Sequence, residues 1–145
     1  MALYSLGTVT TGTGIGVAVW EIRSSSTDRA RLLKIAHGRT AVPAATYGIR
    51  VGRPAAIGVT PTSPVTFIAE DPADPAGTVQ SALAWGTGPT DPGSYFTGHR
   101  QGTAGVFQQI WSFPTGLVIG VSSSIVLWSE TAASNPLDVF AQVDE

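Results

Sequence analysis

The chain contains no cysteine. Disulfides, thiolate nucleophiles and cysteine-ligated metals are therefore excluded, and stability must come from core packing and sheet pairing. Charge is scarce as well. Charged residues make up 12% of the 145 residues, roughly half the usual share, and lysine occurs once, at Lys34. The 8 basic and 10 acidic side chains give a formal net charge of −2, and neither sign forms a run. Nucleic acid needs a clustered basic footprint and an anionic membrane surface needs a polybasic one, so neither is an expected partner. Long apolar runs are missing too. No stretch approaches the roughly eighteen residues a transmembrane helix needs. The N-terminal Met1–Ser5 lacks the basic start and apolar core of a secretory signal, so no Sec export is expected.

What is present is turn-forming punctuation. Seventeen glycines and ten prolines divide the chain into short runs rich in Val, Ile, Leu, Thr and aromatic residues, the pattern of consecutive β-strands. Along Leu137–Val143, for example, Leu137, Val139, Ala141 and Val143 fall on one side of a pleat. Further strands are expected over Leu3–Thr11, Ile15–Ser24, Gly48–Gly52, Val65–Ala69, Thr78–Thr87, Ser94–Thr103, Ala104–Ser112, Leu117–Ile119 and Ser124–Ser129. Gly12-Thr13-Gly14 reads as a hairpin turn, and Phe113-Pro114-Thr115-Gly116 as a break. Arg29–Gly38 is ambiguous, since Thr27 or Asp28 can cap a helix over it; its β neighbours favour a strand.

These features point to one all-β domain spanning residues 1–145, a two-sheet antiparallel sandwich of about eight to ten strands. A jelly roll fits best, because the connections are uneven: tight at Gly12–Gly14 and Gly120–Ser123, long across Arg53–Pro64 and Glu70–Gly77. An immunoglobulin-type sandwich is the runner-up. The expected core includes Val17, Val19, Leu33, Ile35, Leu83, Trp85, Val106, Ile110, Ile125, Leu127, Val139 and Ala141.

No constellation of residues names a chemistry. His37 and His99 are the only imidazoles and lie in no metal-ligand pattern, so two unrelated surface or loop histidines are expected. No serine sits in a Gly-x-Ser-x-Gly elbow. Glu70, Asp71 and Asp74 share a proline-rich loop, a poor frame for a catalytic carboxylate pair, and read as solubilising charges. Gly12–Gly16 lacks the Lys-Ser/Thr of a phosphate loop. The four tryptophans, Trp20, Trp85, Trp111 and Trp128, read as core or interface filling rather than sugar platforms. Thus no catalytic, cofactor or metal residue is assigned. Residues 53–64 form a long loop or an extended arm suited to reaching a neighbour, since proline-containing segments lose little entropy on docking. Arg50, Arg53, Pro54, Ile57, Pro61 and Pro64 are the candidate interface residues, arginine being enriched at interfaces. So little charge around several strand edges implies cover by another chain, and a homo-oligomer, trimer or dimer, is expected.

The C-terminal blocks Trp111–Ile119, Ser124–Trp128 and Leu137–Val139 and the terminal Asp144-Glu145, with Gly52–Ala56 and Asp71–Ala76, resemble small virion proteins of tailed bacteriophages. The resemblance implies a jelly-roll-like, non-enzymatic capsid decoration or cement protein in the virion, made in the host cytoplasm and bound to the major capsid protein. A tail or fibre component with a carbohydrate-binding role is the alternative, and a small cupin-like binding protein or enzyme a lesser one. Elemental analysis of the purified protein is expected to find no stoichiometric metal; a bound ion at one per chain would overturn the reading of the histidines.

Overall fold

Nested strand pairing builds the molecule, and it can be followed in the computed structural model over residues 2–10, 18–39, 41–42, 45–103, 105–130 and 136–145. The first half of the chain supplies β1 (Leu3–Val9), β2 (Ala18–Arg23), β3 (Ala30–Arg39) and β4 (Tyr47–Gly52). Five short strands follow: β5 (Val59–Pro61), β6 (Pro64–Thr66), β7 (Ile68–Ala69), β8 (Gln80–Ala82) and β9 (Trp85–Thr87). The second half supplies β10 (Thr97–Gln101), β11 (Gln108–Ile119), β12 (Ser124–Ser129) and β13 (Leu137–Asp144).

The two halves pair antiparallel from the outside inward: β1 with β13, β2 with β12, β3 with β11 and β4 with β10. Successive pairs fall in alternate sheets, so a double ribbon rolls up into two layers. Sheet I runs β11-β3-β13-β1-β7 and sheet II runs β10-β4-β12-β2-β8-β6. This is a jelly roll of eight strands. The short strands β6, β7 and β8 come from the segment between β4 and β10 and extend both sheets beyond β1 and β2. β5 and β9 pair with each other in a small separate sheet.

Alternation decides what lies between the layers. Tyr4 and Leu6, Ile49 and Val51, Ile125 and Leu127, and Val139, Ala141 and Val143 each sit on one side of their strand and pack in a single core. Arg29–Gly38 is a strand, as expected, within β3. It carries a bulge: Lys34 pairs with Ser112 and Gln142, whereas Leu32 pairs with Leu117 and Val143, so Leu33 has no partner opposite it. The bulge turns Leu32 and Ile35 both inward and leaves Leu33 half-buried. On the other side of the ladder the proline segment Phe113–Gly116 does not end a strand, as its composition predicts. It is a looped-out register shift inside β11. Gly116 has φ 71° there, and a Cβ would stand 2.9 Å from Arg31 Cβ.

Several other expectations are revised. Gly12-Thr13-Gly14 and Val17 lie outside the described residues, but β1 and β2 belong to different sheets and do not pair. Gly120–Ser123 is tight, with Ser123 N donating to Gly120 O at 3.1 Å, yet it too crosses between sheets. Thr78–Thr87 divides into β8 and β9, because Trp85 leaves sheet II to pair with Pro61. Val106 and Ile110, expected in the core, are 58% and 51% exposed. In β11 the inward side belongs to Gln109 and Trp111, opposite His37 and Ile35. Leu33, Leu83 and Trp85 are half-buried, and the remaining described members of the expected core are buried.

Leu127→Ala removes a side chain with no exposed surface and is expected to cost about 2–5 kcal/mol through transfer and cavity terms. Ile110→Ala, on the outer face, is expected to change stability by roughly 0.5 kcal/mol or less. Urea unfolding of dilute protein checks both.

Candidate functional site

The segment between β4 and β10 is held on the outer face of sheet II. Trp85 and Tyr95 pack there against buried Ala18, Val126 and Trp128. Beneath them lies Glu21, a carboxylate with no exposed surface on a central strand. A buried charge is tolerable only when its lone pairs are filled, and here each oxygen accepts two hydrogen bonds. Trp85 Nε1 donates to Oε2 at 2.7 Å and the Arg23 guanidinium at 2.8 Å. Ser124 Oγ donates to Oε1 at 2.7 Å and Gly58 N at 3.2 Å. Arg23 also donates to the Gly58 carbonyl at 2.6 Å. Gly58 has to be glycine, since a Cβ would lie 2.3 Å from Trp85 Cδ1. Thus one carboxylate ties together β2, β12, the β4–β5 loop and β9. Sequence reasoning missed Glu21; the available signal was a lone acid in the apolar run Ala18–Ile22, with Arg23 just beyond it.

The candidate interface residues do not form one patch. Arg50, on β4, is paired with Glu130, which Arg100 of β10 also contacts. Hydrogen bonds from Arg100 and then Arg50 hold the Glu130 carboxyl down to about 2. Arg50 is therefore engaged within its own chain. Arg53 is exposed, donates to the Val118 carbonyl, and its guanidinium lies 5.2 Å above the Phe96 ring. Pro54 joins Arg53, Pro92, Tyr95 and Phe96 around a shallow cleft of about 360 Å³. Ile57 is exposed beside Gly58. Pro61 pairs with Trp85 in the β5–β9 ribbon and Pro64 with Ala82 in sheet II; both line a second cleft of about 440 Å³ with Arg23 and Ser25. Residues 53–64 are thus a long loop pinned to their own domain, with Ala56 and Thr90 bridged antiparallel, rather than a free arm.

Histidine placement differs from expectation. His37 is a buried strand residue, and His99 of β10 approaches it to 6.3 Å between ring centroids. Trp111 lies 5.3 Å from His37, and Phe107 stacks on His99 at 4.6 Å. Arg39 is buried nearby, its guanidinium 3.7 Å above the Tyr47 ring. Burial first, then the charges of His99 and Arg39, push the His37 pKa down to about 4, so its ring is neutral at pH 7. Among the described residues no group of three or more His, Asp or Glu is placed to hold a metal ion. The acidic loop is also more engaged than its composition suggests: Glu70 accepts hydrogen bonds from Ser5 of β1 and Gln142 of β13.

The outer face of sheet I differs from that of sheet II. Its exposed side chains include Val9, Ile68, Ile110, Val118 and Phe140, with Ile68 72% exposed. An apolar cleft of about 520 Å³ lies at one end, lined by Leu3, Leu33 and Pro114 among others. The row Ser112, Lys34, Gln142 and Ser5 divides these apolar side chains, with Ile110 and Phe140 on one side of it and Val118 on the other. Comparison with protein-family models, with curated proteins and with solved structures finds no match to this chain.

Two outcomes follow from the buried ionisable groups. Glu21→Ala leaves Trp85 Nε1 and Gly58 N without their acceptor and Arg23 without its counter-charge, and is expected to cost about 3–5 kcal/mol; tryptophan fluorescence and urea unfolding check it. Unfolded His37 titrates near its ordinary 6.5 and the folded residue near 4, so between those values the unfolded chain takes up a proton that the folded chain refuses. Stability from this residue is complete above about pH 6.5 and falls as the pH drops toward 4, by about 3 kcal/mol in all. His37→Leu is expected to remove that acid limb in unfolding measured across pH.

Proposed function

We propose that the chain is a non-enzymatic structural protein of a bacteriophage virion, a capsid decoration or cement subunit that binds the outside of the assembled shell through the major capsid protein. The observation that carries this reading is the apolar surface left open on both sides of the sandwich in a chain with so few charges. On the insertion, Phe96 is exposed beside Arg53, and Ile57 and Val59 are exposed elsewhere on it; on sheet I, Val9, Ile110 and Phe140 are exposed. An arginine next to an aromatic ring in a proline-walled cleft has the composition of an interface centre. The jelly roll and the likeness of Trp111–Ile119, Ser124–Trp128 and Leu137–Val139 to phage virion proteins support the same reading.

On this reading the insertion end, with Arg53, Pro54, Ile57 and Phe96, faces the shell. Contacts of modest strength suffice there, because repetition over a lattice adds avidity. Dimers or trimers at local symmetry axes fit this use.

Quantitative mass spectrometry of purified particles tests the proposal. Hundreds of copies per particle support a capsid location, a handful indicates the tail or a fibre, and absence from the particle overturns a virion role. Arg53→Glu combined with Phe96→Ala is expected to lower shell occupancy by about tenfold or more, while circular dichroism of the free protein stays unchanged.

A further inference from the structure

The space between the two sheets turns basic at one corner, where the edge strands β10 and β11 close it. Register puts His37 and Arg39 on the inner side of β3, opposite the core residues Val139 and Leu137. It puts His99 and Gln101 on the inner side of β10, opposite Ile49 and Tyr47. His37 is 1% exposed and Arg39 4%. Neither ring nitrogen of His37 has a hydrogen-bond partner, nor do Nε and Nη2 of Arg39 or Nε2 of His99. The titratable and charged groups facing His37 are His99 from β10, Arg39 from its own strand and Tyr47 from β4. From β11 it meets Gln109 and Trp111, and from β13 Val139. No carboxylate among the described residues faces this corner.

A protonated His37 would carry two N–H donors with no acceptor, beside a guanidinium, with no surface open to solvent. A buried charge in that position is relieved only by letting water in. The strand most readily parted is β10: it is five residues long, pairs with β4 alone and carries His99 away with it. β11, the other edge, is twelve residues long. We propose that acid opens this corner locally: protonation of His37 releases β10 from β4, uncovering His37 and Tyr47, while the other ladders of the roll stay closed. The outer side of β10 does not respond at the same pH. Arg100 and Arg50 hold the Glu130 carboxyl down to about 2, so that ion pair is intact when His37 takes up its proton. Together with the hydrogen bond from Tyr47 Oη to Gln101 Oε1, at 2.8 Å, it keeps the corner shut at pH 7. Burial, then the charges of His99 and Arg39, hold folded His37 near 4 against 6.5 for the exposed ring. The open form binds the proton more tightly, so it gains about twentyfold on the closed form between pH 7 and pH 5.

Amide hydrogen exchange of the full chain tests this, followed residue by residue by NMR at pH 7 and pH 5 and corrected for the intrinsic pH dependence of exchange. The β10 amides bonded to β4 are expected to exchange at least about tenfold faster than those of central β12 at both pH values. At pH 5 they are expected to lose about a further twentyfold of protection. In His37→Leu that loss is expected to shrink to about threefold or less. Equal protection of β10 and β12 at both pH values, the mark of global unfolding alone, overturns the proposal. So does β10 protection that is the same at pH 5 as at pH 7, or a loss that persists undiminished in folded His37→Leu. If His37→Leu does not fold, the two wild-type comparisons still decide.

Discussion

Pairing between the two ends of the chain governs this structure. Leu3 stands opposite Asp144 and Val9 opposite Asp138, and each later pair in the roll closes inside that one. Among the eight strands only β4 and β10 pair with a neighbour in sequence; every other consecutive pair lies in different layers. The other loops cross from sheet to sheet, whereas the connection from β4 to β10 returns to the sheet it leaves after adding β7 to sheet I. That connection is free to grow, since loop-closure entropy rises only slowly with length. It has become a third of the molecule's architecture, supplying five short strands and the cover of one broad face.

The cover is tied down by polar chemistry and the opposite face is left open. Glu21 sits where the insertion meets sheet II, and its four donors come from four separate segments. Such a network specifies geometry more than it adds stability, because a buried carboxylate would be replaceable by a packed hydrophobe if only stability mattered. On the outer side of sheet I the insertion reaches only one edge, where β7 pairs with β1 and Glu70 accepts from Ser5 and Gln142. One broad face is thus covered by the chain's own insertion, and the other keeps exposed apolar side chains.

The sheet alternation was legible wherever one side of a strand is uniformly apolar. Leu137, Val139, Ala141 and Val143 read correctly as an inward set, and Arg29–Gly38 read correctly as a strand against a plausible helix. The same rule misassigned Ile110. Its strand is apolar on both sides, and its inward side includes the polar Gln109, so the pattern offered no preference that register did not decide. The bulge at Leu33 defeated the rule differently, by shifting the phase of alternation within a single strand. His37 and His99 are brought together by the pairing of β4 with β10 and of β3 with β11, a consequence of topology that no local motif announces. The interface candidates between Arg53 and Pro64 rest on composition, and composition does not reveal that Thr90 and Trp85 bind the loop back onto its own domain.

β13 is the last strand in sequence and lies in the middle of sheet I, between β3 and β1. During synthesis, therefore, β1 and β3 emerge with nothing between them, and their shared partner follows about a hundred residues after β3. The apolar inner sides of Leu6, Leu32 and Ile35 wait uncovered through translation of the intervening hundred or so residues, and the layer closes only after residue 144 is free. Closure of this sheet is consequently a long-range event, set by pairing across the chain rather than by the appearance of successive elements.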